Sequence, residues 1–292
     1  MIYLILSILL YSINNFFWKK ILEDSNIWLV ISLRSFFTVI LGTVWYHLFY
    51  PELKDAITWN QFKLILIASI FGAFGLITMV SALKKGSLRQ LGIFNLITVF
   101  LTVSYLIVFE NLNIKYYLIG SFFIICGFIF YLIKLFKDKS PDNSFKQYLL
   151  LSLMALFFSF SGLLHWYNLK AFVPVIASLL TQESTVFIIG ISFFFLQSKV
   201  DINDLIKNIS NKIVFIFFMA LIIFLAVWFG FMGLKITNPI ISSLLSLAVP
   251  VITILFGSIF LKEKLNVNIL FSLILISIGA FLLYLDLNNY YN

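Results

Sequence analysis

Charge is what this sequence lacks. Of 292 residues, 20 are Lys or Arg and 12 are Asp or Glu, 11% in all, where a soluble domain carries about 25%. Hydrophobic residues make up 62%, against a usual figure of about 45–50%, and mean hydropathy is +1.07. So few charges cannot cover a water-soluble fold of this size, which excludes a soluble globular protein and a disordered chain. The net charge of +8 is no nucleic-acid footprint, because the lysines sit between apolar runs rather than in stripes. Cysteine is nearly absent. Cys126 stands alone in an apolar run, which excludes a disulfide framework and a multi-cysteine metal site. The two histidines, His47 and His165, lie in distant runs and make a poor metal pair, so no metal is expected. A phosphate-binding Gly-Lys loop is missing too, so nothing supports ATP-driven pumping.

Long hydrophobic runs are what is present. A helix needs about 20 mostly apolar residues to cross a bilayer. Ten runs qualify: 2–18, 27–49, 62–83, 88–109, 116–136, 147–169, 174–196, 213–234, 239–261 and 267–285. Each is bounded by charges, Asn, Pro or Gly, as at Lys137-Asp138-Lys139-Ser140-Pro141. Barrel strands need only about 10 alternating residues, so the expected fold is an all-α integral membrane protein with ten transmembrane helices. The first run lacks a basic leader and a small-residue cleavage site, and is expected to be a mature helix. No segment between runs exceeds 16 residues, too little for a soluble catalytic or receptor domain.

The runs repeat. At an offset of 153, Glu110 pairs with Glu263, Leu112 with Leu265, Asn113 with Asn266, Phe128 with Phe281 and Tyr131 with Tyr284. Ala82-Leu83-Lys84 resembles Gly233-Leu234-Lys235, and Tyr11-Ser12-Ile13-Asn14 resembles Phe158-Ser159-Phe160-Ser161. The chain divides into a five-helix repeat at 1–137, a linker at 138–145, a second five-helix repeat at 146–287 and a tail at 288–292. Five crossings are odd, so the second repeat enters the membrane from the opposite side. Lysine loading agrees. The loops after the first and third runs of the first half hold Lys19, Lys20, Lys84, Lys85 and Arg89, whereas their counterparts hold only Lys170 and Lys235. Opposite loading of homologous loops is the positive-inside signature of inverted repeats. Such repeats place a substrate site near the midplane and work by alternating access.

On these residues the chain resembles the drug/metabolite transporter superfamily, in its EamA-like branch. Each repeat of that family has a Glu-containing turn between its fourth and fifth helices, then a Gly-containing, aromatic-ended helix. Phe256-Gly257-Ser258-Ile259-Phe260-Leu261-Lys262-Glu263-Lys264-Leu265 and Gly279-Ala280-Phe281-Leu282-Leu283-Tyr284 match it, with Phe109-Glu110-Asn111-Leu112 as the first-half copy. Arg34-Ser35-Phe36 is a near match to the family's Arg-aromatic pair early in helix 2, and Pro250 has its counterpart in helix 9. The stretch from Asn95 to Thr102 has no Pro, a departure from the pattern. The resemblance implies a multi-pass protein of the cell membrane, a monomer or homodimer, that moves a metabolite, usually outward, with no bound cofactor.

Two ionisable residues sit deep in the runs. Arg34 lies about 10 Å along the second run at about 1.5 Å per residue, and Glu183 is near the middle of the seventh. An offset of 149 relates them and matches Ser35 with Ser184. Across a pseudo-twofold axis they would face one cavity, Arg34 drawing a carboxylate or phosphate and Glu183 an amine or a proton. A buried ion pair fixing the second helix to the seventh is the equally weighted alternative. Helical spacing aligns further polar groups: Ser7, Tyr11, Asn14 and Trp18; Asn95, Thr98, Thr102 and Tyr105; Phe158, Ser161, His165 and Asn168; Ser178, Gln182 and Thr185. Interhelical hydrogen bonding accounts for single hydroxyls, but four stripes together suit a central polar pathway. The candidate substrate-binding residues are therefore Arg34, Glu183, Asn14, Trp18 and Asn95, with Tyr105, Ser161, His165, Trp166 and Gln182. His165 is also a candidate for proton coupling, since its unperturbed pKa is about 6.5. Pro250 is expected to bend its helix, and Gly72/Gly75 and Gly230/Gly233 to allow close approach. Glu110 and Glu263 read as structural turn residues. The expected function is secondary transport of a small, amino-acid-like metabolite in the export direction. A membrane-embedded enzyme and a lipid-translocating protein are the alternatives.

Orientation is where charge and resemblance part. The family usually keeps both termini in the cytoplasm, which would put five basic loop residues inside and fourteen outside. Lys/Arg bias in short loops sets orientation, so the termini are expected to face outward. Cysteines at Ser140 and Asn289, probed in intact cells with an impermeant thiol reagent, check this. Labelling at Asn289 alone is the expected result, and labelling at Ser140 alone reverses the orientation.

Overall fold

The computed structural model describes residues 1–22, 25–50, 57–85, 88–111, 117–137, 145–197, 212–261 and 267–291. In lipid every backbone N–H and C=O must find its partner within the chain, which a helix does locally. The described elements are all helices: α1 (Ile2–Leu22), α2 (Ile27–Phe49), α3 (Trp59–Lys85), α4 (Leu88–Glu110), α5 (Leu118–Lys137), α6 (Phe145–Lys170), α7 (Val175–Gln197), α8 (Ile213–Ile236), α9 (Pro239–Ser246), α10 (Ala248–Leu261) and α11 (Val267–Tyr291). Asn26 starts α2 by accepting hydrogen bonds from the Trp28 and Leu29 amides at 3.0 and 3.3 Å. Asn238 caps α9 through the Ile241 amide, just before Pro239 at its first position.

Six helices (α1, α2, α3, α6, α7 and α8) are long and apolar enough to cross a membrane on their own. Four shorter apolar stretches, Phe94–Glu110, Leu118–Phe130, Pro239–Thr253 and Leu270–Leu283, occupy the remaining expected spans. Large apolar side chains point outward, among them Phe100, Phe122, Ile188 and Phe218. That is the surface of a multi-pass membrane protein, which meets acyl chains rather than water.

The single span expected over 239–261 is two helices. Pro250 has no N–H to offer the Ser246 carbonyl, and its ring crowds that carbonyl. The chain answers by tightening, with the Leu247 amide bonding the Leu244 carbonyl three residues back at 3.1 Å. The break therefore falls just ahead of the proline.

Packing exchanges elements between the two halves. α6 packs on α3 and α4, while α1 packs on α8 and α10. Like packs on like in the remaining contacts of this kind: α2 on α7, α5 on α11, α4 on α9 and α10. The principal pairings are unchanged when the halves are swapped. Individual contacts follow the same rule. The Ser7 hydroxyl donates to the Ala226 carbonyl at 2.7 Å, and the Ser161 hydroxyl to the Ala68 carbonyl at 2.9 Å. Beside each clasp two glycines let the helices touch. A methyl at Gly230 would lie 3.0 Å from Ser7, and one at Gly233 2.6 Å from Leu4. Correspondingly, one at Gly72 would lie 2.9 Å from Ser161 and one at Gly75 2.6 Å from Phe158.

The two clasping serines, Ser7 and Ser161, lie 154 residues apart, whereas the match of 11–14 with 158–161 uses an offset of 147. A polar stripe with steps of three and four looks alike two turns further on, so a short match cannot fix its own phase. Of the loop motif, Leu112, Asn113, Glu263, Leu265 and Asn266 lie outside the described residues, as do 138–144 of the linker. Buried apolar side chains form two clusters, one around Leu4, Ile8, Phe224 and Leu244, the other around Trp18, Ile31, Val80 and Met154. Along α1, Ser12, Asn14 and Asn15 lie between them.

The α5–α11 contact brings backbone against backbone. A methyl at Gly279 would fall 2.6 Å from the Gly120 carbonyl oxygen, on backbone that cannot swing aside. Gly279→Ala should destabilise the protein by about 1–3 kcal/mol despite alanine's better helix propensity. Thermal unfolding in detergent measures it, and an unchanged or raised Tm would mean that the two helices are not held this closely.

Candidate functional site

Arg34 on α2 and Glu183 on α7 meet. The Arg34 Nη2 donates to Glu183 Oε2 at 2.7 Å and to Ser35 Oγ at 2.8 Å. Their side chains are 1% and 2% exposed. The guanidinium carbon also lies 6.0 Å from the centre of the Trp18 ring, which backs it as a cation–π partner. Arg34 Nε, although buried, has no partner among the described residues. The pair is thus neutral as a whole, with the Nε donor unpartnered among the described residues. Losing either member would leave an uncompensated buried charge, a cost of about 3–5 kcal/mol.

The pair forms part of the wall of a cavity of about 330 Å³. Asn14, Asn95, Ser161, His165 and Gln182 line the same space, as does Pro250. The fold brings these together from α1, α2, α4, α6, α7 and α10. Three candidates stand apart. Trp18 is fully buried behind Arg34. Tyr105 has its hydroxyl 3.4 Å from that of Tyr167, which in turn donates to the Glu110 carboxylate. Trp166 carries the Lys170 ammonium 4.0 Å from its ring. Glu110 therefore holds the end of α4 to α6, a structural task.

Hydroxyls are mostly spent on carbonyls: Ser12 donates to Ile8 and Val249, Ser159 to Ala155 and Thr98, Thr253 to Val249. Ser161 both lines the cavity and closes a clasp. Asn14 Oδ1 and both ring nitrogens of His165 have no partner among the described residues, although these residues are 2% and 1% exposed. The His165 ring packs 4.6 Å from that of Phe231. Buried groups of this kind are costly to leave unbonded, and both residues belong to the cavity wall. No three His, Cys, Asp or Glu side chains come together among the described residues.

The sequence reading left out Ser242, Ser243, Ser246 and Thr253, which line the cavity from α9 and α10. Their signal was available. If Asn95, Thr98 and Thr102 of the fourth helix face the interior, the fourth helix of the other repeat should do so as well.

Comparison with known proteins now bears on this geometry. Residues 206–285 match the family model of the EamA-like transporter family, part of the drug/metabolite transporter superfamily. The matched stretch contains both second-half motifs on which the resemblance rests. A solved structure described as "Crystal structure of protein" shares the fold with a TM-score of 0.73 and 16% identity, over 96% of this chain and 94% of its own. It is one of 28 matching chains among solved structures. No curated protein matches the sequence.

Proposed function

We propose that this protein is a secondary transporter carrying a small, net-neutral polar metabolite, amino-acid-like in chemistry, out of the cell by alternating access between two inverted repeats. The observation that carries the reading is the Arg34–Glu183 pair on the wall of the cavity. A ligand with one net charge would leave that low-dielectric site charged, at a large cost in free energy. A zwitterion keeps it neutral. Its carboxylate meets Arg34 and its ammonium meets Glu183, both on the cavity wall. Asn14, Asn95 and Gln182 add amides that accept and donate. The volume lies at the lower end of the range for small-molecule sites, about 300–1,000 Å³.

Alternating access is supported by the exchange symmetry of the packing and by the shape of the cavity. Its lining reaches Leu234, in the last turn of α8, and Pro239, the first residue of α9. At the other end the described lining stops at Asn95 and Met79, about two turns inside α4 and α3. An odd number of crossings in each repeat makes the swap an inversion, as the lysine loading also suggests. Glu183 and His165 are the candidates for proton coupling, should transport prove to be proton-driven.

Purified protein in liposomes tests the reading. Saturable counterflow of a radiolabelled amino acid is expected, and Glu183→Gln and Arg34→Ala should each reduce it at least a hundredfold, measured on the fraction that reconstitutes folded. Wild-type rates in both variants would remove the pair from the site. Lipid exchange or a chemically altered product in place of solute flux would favour a lipid translocator or an enzyme.

A further inference from the structure

Gly162 differs from the other described glycines. At Gly42, Gly72, Gly75, Gly120, Gly127, Gly190, Gly230, Gly233 and Gly279, an added methyl would come within about 3 Å of a neighbouring atom, so close packing explains the residue. At Gly162 nothing lies within 4 Å. Yet Gly162 sits well inside α6, where glycine destabilises a helix relative to alanine. No neighbouring helix repays that cost. What the missing side chain leaves is room, and the room is in the cavity, whose wall Gly162 forms.

Two further observations show what the room is for. His165 lies one turn further along the same helix face, is 1% exposed, lines the cavity and has both ring nitrogens unpartnered among the described residues. A neutral imidazole carries one donor and one acceptor, and a small turn of the ring would bring one of them to a group resting over Gly162. The second observation comes from the repeat. Ser161 corresponds to Ser7 through their matching clasps, so Gly162 corresponds to Ile8. Ile8 is buried in the apolar core and fills the equivalent place on α1. The space is therefore on one side only, which a packing rule common to both halves would not produce.

We infer that Gly162 is the size-determining residue of the substrate site. The part of the substrate that distinguishes one compound from another lies against the Gly162 backbone, within reach of His165. This rests on the transport reading above and deepens it. The carboxylate and ammonium engage the Arg34–Glu183 end, and the variable group occupies the Gly162–His165 end.

The test is a set of substitutions, Gly162→Ala, Gly162→Val and Gly162→Leu, each with two readouts. The first is thermal unfolding in detergent without any substrate. Gly162→Ala should match or exceed the wild-type Tm, and Gly162→Leu should remain folded. A clear loss of Tm in Gly162→Ala would show that the position is packed after all and would overturn the inference. The second is liposome counterflow with amino acids graded from glycine to tryptophan. The transport ratio of the largest to the smallest amino acid carried by the wild type should fall at least tenfold in Gly162→Leu, with Gly162→Ala in between. His165→Phe should change selectivity among polar and apolar amino acids of equal size. Unchanged ratios in every Gly162 variant would overturn the inference while leaving the transport reading intact. If the wild type carries no amino acid, the zwitterion reading falls instead. Gly162 is then judged by the Tm series and by Gly162→Cys, whose thiol should react with a small methanethiosulfonate if it faces open space and stay unreacted if it does not.

Discussion

A guanidinium and a carboxylate 2.7 Å apart in the middle of an apolar bundle constrain everything near them. Neither group could stay charged there alone without a large desolvation penalty. Together they require α2 and α7 to stay close, and small residues make that possible. A methyl at Gly42 would lie 2.8 Å from Leu180, and one at Gly190 would lie 3.0 Å from Ser32. The α2–α7 crossing is thus tight on both sides of the pair. Trp18 and Ser35 add to the cation's surroundings, yet the Nε donor of Arg34 has no partner among the described residues. A purely structural pair would gain from satisfying that donor. A pair that must also receive a ligand has reason to leave it unspent.

The serine clasps decide which helices go together. Ser7 ties α1 to α8 of the other half, and Ser161 ties α6 to α3. Any rearrangement that keeps these bonds carries each first helix with the opposite repeat. The packing units are then not the halves of the sequence but two bundles that have exchanged a helix. The cavity lies where they face each other, and α2 and α7, which pack like on like, cross beside it. Pro250 adds a joint in the second half that the first half lacks, so the bundles resemble each other without being equivalent.

Some of this was legible in the sequence because it depends on quantities a sequence carries directly. Run length and hydropathy gave the helices, and the depth of Arg34 and Glu183 in their runs singled them out. The offset of 149 suggests symmetric placement, but does not say whether they face each other across a gap or touch. That depends on the helix separation, which Gly42 and Gly190 set through contacts with residues far away in sequence. The phase between the first and sixth helices stays open in the sequence, because polar stripes look alike every two turns. Trp18, Tyr105 and Trp166 lie on promising faces, but at levels or depths that period alone does not resolve. The break at Leu247 followed from Pro250, whose effect falls one turn upstream of the residue itself. Gly162 carried no signal in the sequence. A glycine that packs and a glycine that leaves room are the same letter.

The central claim is that the site takes a ligand of no net charge bearing both an acid and an amine. Equilibrium binding to the purified protein tests it most directly. The ligands would be a zwitterionic amino acid, its methyl ester, which keeps only the positive charge, and its N-acetyl derivative, which keeps only the negative one. The account predicts that the zwitterion binds and that each derivative binds at least tenfold more weakly. Equal or tighter binding of either singly charged derivative would contradict it.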